Sequence, residues 1–401
     1  MENTKIFGLH RNVFFTGLTS FFTDTSIKMI YSIMPLFLLS IGASKTSISL
    51  IEGIAESTAS LFKAFSGHWS DKIGKNKPFM LIGYGITALI TPLYALVRFP
   101  IHVLFLRFIE RIGKGLRTAP RDSLISNSVS KNETGKNFGF HKVMDNSGAI
   151  IGPLTAFILL YFFPLNYTNI FLIATIPALL GVVSIAVFIK EAKSVKNKDN
   201  NKFHLNQLNK KFYFFLFIVF VFTLGNSADA LLLVKTAEIG INKSYVPFVY
   251  MIFNTVSVLL AIPIGKVSDK KGREVLIILG FLVYSIVYFF FGKFNNLNVF
   301  LCLFVLYGLY SALVDGSQKA LISDIVSKNL KGTGYGLYHA VLGITLLPAS
   351  LIAGLLYDHV NSNAPFYFGS FMALIASFLM VIFVLVDRNN KRKNNVVQYC
   401  A

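Results

Sequence analysis

Asp24, Lys28, Glu52, Glu56, Lys63, Arg107, Glu110, Arg111 and Asp145 stand within stretches of sequence that are otherwise apolar. A carboxylate in such surroundings is suited to binding and releasing protons, because desolvation favours its neutral form and a nearby cation its charged one. An arginine there does not shed its proton and needs a carboxylate, water or an anionic solute beside it. Helical spacing gathers these groups. At 100° per residue, Glu52, Glu56 and Lys63 fall within about 40° of one another, and Asp24 and Lys28 share a face with Gly17, Tyr31 and Pro35. Arg107, Arg111, Lys114 and Arg121 lie within about 80°, with Glu110 at the edge of that face. Counting from the turn between the first two apolar stretches puts Lys28 and Glu56 at similar depth, which predicts an ion pair there with Asp24 and Glu52 nearby. Arg107 and Arg111 are expected to face a cavity, and Arg117 and Arg121 to snorkel toward an interface. His141 is expected at an interface rather than in a proton relay. The second half of the chain is less charged, with Asn226 and Asp229 as its candidates.

Other chemistries leave no trace. No phosphate-binding loop, His-rich metal spacing, nucleophile elbow or paired catalytic carboxylate stands out, and the glycines at 113 and 115 do not follow a strand as a dinucleotide site requires. Cys302 and Cys400 provide neither a disulfide framework nor a thiolate metal site. The expectation is no enzyme, no metal and no cofactor.

The elements that must position these charges are membrane helices. The chain has 401 residues, of which 54% are hydrophobic and 14% charged, against roughly 25% charged in an ordinary soluble domain. Its mean hydropathy is +0.61. Apolar runs of bilayer-spanning length lie near 12–40, 46–68, 78–98, 101–120, 136–161, 167–189, 212–234, 245–264, 275–292, 297–318, 333–357 and 364–386. The first lacks the small-residue cleavage site of a signal peptide and reads as a retained anchor. The net charge of +19 could indicate a nucleic-acid partner, but its distribution is topological. With both termini inside, Lys and Arg crowd the inner loops, above all between Lys190 and Lys211, while the outer loops hold little beyond Lys45, Arg98, Lys243 and Lys293. The expected partner of that charge is anionic lipid and not nucleic acid.

The chain also repeats itself. Residues 67–75 read GHWSDKIGK and residues 265–273 GKVSDKKGR, an offset of 198; residues 124–139 and 321–336 match at 197. Six spans separate the copies, an even number, so both face one side of the membrane as in a parallel repeat. The expected organisation is an N-terminal six-helix bundle at 1–189, a cytoplasmic linker rich in Lys and Asn at 190–211, and a C-terminal six-helix bundle at 212–401.

Gly67, Asp71, Gly74 and Lys75, repeated as Gly265, Asp269, Gly272 and Arg273, resemble the loop signature of the major facilitator superfamily. The resemblance covers the whole chain. It implies an all-α integral membrane fold of twelve helices, two six-helix bundles related by pseudo-two-fold symmetry around a cavity that opens alternately to each side. Asp71 and, to a lesser degree, Asp269 would then latch the inner side. Within the superfamily, residues 110–126 and 138–154 look like a prokaryotic branch. That branch tends to carry an acidic residue where this chain has Lys28, so either Lys28 neutralises Glu56 or the substrate is anionic. The run 107–115 resembles the superfamily's helix-4 motif, with Arg111 where glycine is usual. Gly148, Gly152 and Pro153 resemble the antiporter motif of drug exporters, without its trailing glycine pair, and mark a site of close packing and kinking. The resemblance implies a multi-pass transporter in the cytoplasmic membrane of a prokaryote, acting as a monomer on a small solute and protons. Antiport (export) leads, with symport (uptake) as the alternative and a non-transporting sensor after both.

Overall fold

A computed structural model describes residues 5–73, 75–129, 134–163, 166–191, 208–226, 228–240, 242–327 and 330–400, with side chains at 5, 64–73, 134–135, 331–332 and 388–400 left out. A two-stranded hairpin, β1 (Lys5–Ile6) and β2 (Leu9–His10), leads into helices. These are α1 (Arg11–Ser40), α2 (Lys45–Ile73), α3 (Lys77–Leu93), α4 (Pro100–Ser128), α5 (Thr134–Phe162), α6 (Tyr167–Phe188), α7 (Lys210–Gly225), α8 (Ala230–Glu238), α9 (Tyr245–Lys271), α10 (Arg273–Lys293), α11 (Leu297–Ile325), α12 (Lys331–His359) and α13 (Ala364–Cys400). Local chemistry sets the starts. Pro100 occupies the first turn of α4, where its missing N–H costs nothing. Asn166, Asn209 and Asn296 cap α6, α7 and α11 by accepting a hydrogen bond from a first-turn amide. Gly272, at φ +96°, makes the one-residue turn between α9 and α10.

The distribution of side chains is inverted relative to a water-soluble protein. Arg107 and Arg111 are among the largest fully buried side chains. Leu172, Ile176, Leu179, Val183 and Val187 form an exposed row along α6, and Leu279, Leu282, Ile286 and Phe289 another along α10. Apolar rows at helical spacing, turned outward, need lipid as their solvent. Nine stretches of the described residues are long and apolar enough to cross a bilayer, with Lys210–Glu238 counted as one across α7 and α8. Of the twelve expected spans, α1, α2 and α4 fall short of that measure. They are the helices that carry the clustered charges.

The sequence repeat holds in the structure. Helices α4, α5 and α6 begin at 100, 134 and 167, and α11, α12 and α13 at 297, 331 and 364, a constant offset of 197. One pair differs: α1 is continuous, whereas its counterpart is broken between Gly225 and Ala230 into α7 and α8. The chain separates into two compact units, Met1–Asn200 with Ala228–Asn254, and Asn201–Ser227 with Thr255–Ala401. In the first, α1 packs against α5 and α6 while α2 and α3 flank α4; in the second, α10 packs against α11 and α13, and α7 against α12 and α13.

Candidate functional site

Helices α2 and α4 run side by side and join their charges rung by rung. At the first rung, Arg107 donates to Glu52 Oε1 through Nε at 2.9 Å and Nη2 at 2.6 Å, and its Nη1 reaches Glu110 Oε2 at 3.1 Å. Tyr94 donates to the same Glu110 oxygen at 2.8 Å. At the second rung, Arg111 Nη2 lies 2.8 Å from Glu56 Oε1 and 3.9 Å from Glu52 Oε2. Both rungs join residues 55 apart, because Glu52 and Glu56 on one helix have the same spacing as Arg107 and Arg111 on the other. This ladder corrects the expected pairing: Glu56 is held by Arg111, not by Lys28.

The rungs differ in exposure. Arg107, Glu52 and Arg111 are 0%, 1% and 2% exposed, whereas the Glu56 side chain keeps 35%. Two atoms at the junction, Glu52 Oε2 and Arg111 Nε, are buried without a hydrogen bond. The first rung is closed, with all three guanidinium nitrogens of Arg107 bonded; the second is open on one side and slack on the other.

Lys28 is half-buried on α1. Its ammonium donates to the Tyr250 hydroxyl at 2.9 Å and lies 5.5 Å and 5.2 Å from the ring centres of Tyr31 and Tyr250. The Arg107 guanidinium lies over the other part of this aromatic wall, 5.4 Å from the Tyr31 ring. Asp24, one turn before Lys28, is also half-buried and makes no hydrogen bond among the described residues; the charges acting on it most strongly are those of Asp145, Arg117, Lys114 and Arg121.

A second polar chain runs across α5, α1, α3 and α4. His141 Nε2 sits 3.8 Å from Asp145 and 2.9 Å from Ser20 Oγ, which is 3.2 Å from the Tyr84 hydroxyl. Arg117 lies over the Tyr84 ring at 4.3 Å and donates to Thr87 at 2.6 Å. Arg121 bridges Asp122 at 3.0 Å and Asp145 at 3.8 Å. Two expectations are corrected here. Arg117 and His141 are 4% and 3% exposed, so neither reaches toward an interface; neighbouring hydroxyls and an aromatic ring satisfy them inside the bundle.

Close packing sets the position of α1. An added Cβ at Gly148 would stand 2.5 Å from the Phe21 carbonyl, and one at Gly152 2.5 Å from that of Thr25 and 3.1 Å from Lys28 Cβ. Gly148 and Gly152, followed by Pro153, thus bring α5 onto the backbone that carries Asp24 and Lys28. In the repeated loop, Arg273 pairs with Asp269 and lies 3.4 Å from Asp324 and 3.3 Å from Ser268. At Gly265 an added Cβ would meet nothing within 4 Å. In the first loop, Gly74 and the side chains around Gly67 and Asp71 lie outside the described residues, and Lys75 is exposed.

The second half does not repeat the ladder. At an offset of 198, Glu52 and Glu56 correspond to Tyr250 and Asn254, and at 197 Arg107 and Arg111 correspond to Phe304 and Gly308. Aromatic packing replaces ion pairing: Tyr284 stacks on Tyr288 at 4.0 Å, and Asn226 at the end of α7 donates to Tyr310 at 3.2 Å. Asp229 stands at the start of α8. The described residues contain no group of His, Cys, Asp and Glu able to hold a metal ion.

Comparison with known proteins agrees with this architecture. A sequence model of the Major Facilitator Superfamily matches twice, at residues 16–236 and 214–398. The chain is 34% identical over 383 residues to the uncharacterized MFS-type transporter MJ1317 of Methanocaldococcus jannaschii, covering 93% of this chain and 95% of that one. It is 24% identical over 181 residues to the quinolone resistance protein NorA of Staphylococcus aureus, 45% of this chain and 46% of that one. In three dimensions it is similar to a POT family transporter crystallised with a thioalcohol-conjugated peptide, with a TM-score of 0.80 at 13% identity over 96% of this chain and 98% of that one.

Proposed function

The chain belongs to the major facilitator superfamily, and from that premise we propose that it couples the movement of a small solute to protons through the Glu56–Arg111 rung. It is a multi-pass membrane transporter and not an enzyme; the proton, the direction and the orientation are the proposal. In this reading it works as a monomer in a cytoplasmic membrane. Both termini and the 190–211 linker are cytoplasmic, bundles 1–189 and 212–401 alternate access, and Asp71 and Asp269 act in the gating loops.

The observation that carries the proposal is the unequal exposure of the two rungs. A proton arriving from water meets Glu56, 35% exposed, before it meets Glu52. While Glu56 is charged it holds Arg111 at 2.8 Å. Once neutralised it loses that attraction, and Arg111 is left with Glu52 Oε2, an unbonded oxygen 3.9 Å away. One guanidinium thus stands between two carboxylates, and the proton decides which it prefers. Such a two-position element is what a transport cycle needs to link protonation to conformation.

The sense of exchange follows from the solute's charge. A cationic solute competes with the proton for Glu56, which gives antiport; an anionic one assists protonation, which gives symport. Export by antiport is favoured by the Gly148, Gly152 and Pro153 pattern and by the likeness to a quinolone resistance protein. Vesicles containing the purified protein and a trapped pH-sensitive dye test the coupling. Solutes from a panel of drugs, sugars and organic acids are added outside, and their uptake is followed by mass. Each solute taken up is expected to shift the lumenal pH, upward for antiport and downward for symport. Uptake with no pH change would overturn proton coupling.

A further inference from the structure

Among the described residues Lys28 forms no ion pair with an acidic side chain, and its surroundings point to the solute. Along α1, Lys28 stands about 25 Å from Arg11 and about 18 Å from Ser40 at 1.5 Å per residue; with the helix centred on a hydrocarbon core roughly 30 Å thick, that leaves it about 11 Å inside the nearer face. Snorkelling therefore does not bring its ammonium to water at either interface. An ammonium has three donor positions, and Tyr250 takes one of them at 2.9 Å. Among the described residues it makes no ion pair.

The groups facing it from every side explain why. Asp24 on α1 and Asp229 at the head of α8 act on Lys28 from beyond pairing distance. Glu56 on α2 is engaged by Arg111. Lys114 on α4 is half-buried with no side-chain hydrogen bond among the described residues, and the charges around it are Arg111, Glu56, Lys63 and Lys28, three of the four cationic. A mid-membrane cation without a counter-charge is costly, and helix packing does not require it, since Gly152 already seats α5 on α1 at this level.

We propose that Lys28, oriented by the Tyr250 hydroxyl and with Lys114 nearby, receives the anionic group of the transported solute, a small organic acid bearing a carboxylate or a phosphate. Tyr31 and Tyr250 line the ammonium with aromatic surface, so the same place accepts the apolar body next to the anionic head. The inference rests on the transport reading and adds to it. An anion at Lys28 balances its positive charge beside Glu56, so solute and proton bind together, which selects the symport alternative over the export that the Gly148, Gly152 and Pro153 pattern favours.

The test is binding to the purified protein in detergent, read as a shift in thermal unfolding, and it needs no pH gradient. A failure here therefore leaves the coupling experiment standing, and the reverse also holds. The probes are matched pairs: benzoate with benzamide, citrate with its triethyl ester, and glucose 6-phosphate with glucose, with inorganic phosphate and ethidium as controls. The expected result is a saturable rise in unfolding temperature with at least one organic acid and none with its neutral partner; benzoate or citrate against glucose 6-phosphate separates carboxylate from phosphate. Lys28→Gln should abolish the rise, and Tyr250→Phe should weaken the apparent affinity about tenfold, equivalent to roughly 1.4 kcal/mol. If Lys28→Gln does not fold, Tyr250→Phe and Lys114→Gln carry the test. Stabilisation by neutral or cationic probes alone, by inorganic phosphate alone, by no acid at all, or by an acid that binds these variants as tightly as the parent would overturn the proposal.

Discussion

Arg107 is held from three directions, by Glu52, by Glu110 and by the face of Tyr31, and it is 0% exposed. Removing one partner of a buried pair strands the others and costs about 3–5 kcal/mol. Arg107→Ala is therefore expected to lower the unfolding temperature and yield of the detergent-purified protein sharply. Arg107→Ala combined with Glu52→Gln should recover much of the loss, because Glu110, still bonded to Tyr94, is then the one charge of the first rung that remains, and Arg111 keeps Glu56. An Arg107→Ala protein as heat-stable as the parent would show that the first rung is not structural. At this scale the sequence revealed the cast but not the pairing. The equal spacing of Glu52–Glu56 and Arg107–Arg111 is visible without coordinates, and two helices starting from the same side with charges at matching depth would have suggested the ladder. Depth counted between α1 and α2 paired Lys28 with Glu56 instead, because it ignored which neighbour each helix presses against. The burial of Arg117 and His141 is illegible for a related reason: their partners Thr87, Tyr84 and Ser20 are neutral and show no charge complementarity in the sequence.

Helix contacts explain why glycine is required at some positions and indifferent at others. A Cβ at Gly152 would stand 2.5 Å from the Thr25 carbonyl and 2.8 Å from the Met29 amide, both backbone atoms that move only with the whole helix. At Gly85 an added Cβ meets nothing within 4 Å. Gly152→Ala is thus expected to cost about 1–3 kcal/mol and to impair transport by displacing Lys28, while Gly85→Ala stays within about 0.5 kcal/mol of the parent. Thermal unfolding of the two variants side by side checks this, and equal behaviour would refute the packing account. Most helix ends were readable, since Pro100 and the capping asparagines mark them locally. The break between α7 and α8 is hidden in the sequence, although Gly225, Asn226 and Asp229 form a stop signal followed by a start signal. The apolar residues on both sides made 212–234 look like one span. At the repeat offset of 198, Asn226 falls where the first half has Lys28, so the break occupies the position of the unpaired cation.

Over the whole molecule, one ancestral unit appears twice with its duties divided. Loops, helix starts and the family match repeat, but the ladder does not: its second-half counterparts are Tyr250, Asn254, Phe304 and Gly308. That division was legible from the charge imbalance alone, because charge within an apolar stretch is costly wherever it lies and survives where it serves a purpose. The three helices that fall short of ordinary span hydropathy are the ones that hold the ladder and Lys28. The central claim is that protonation of Glu56 is what links solute movement to the proton gradient. The direct measurement is solute accumulation in proteoliposomes with and without an imposed pH gradient, comparing the parent with Glu56→Gln, which keeps the shape and removes the titration. The account predicts that the parent accumulates solute above equilibrium only with the gradient, while Glu56→Gln equilibrates solute at a similar rate with or without it. Gradient-driven accumulation at the parental level in Glu56→Gln would contradict the account and move the coupling site to Asp24, Glu52 or Glu110.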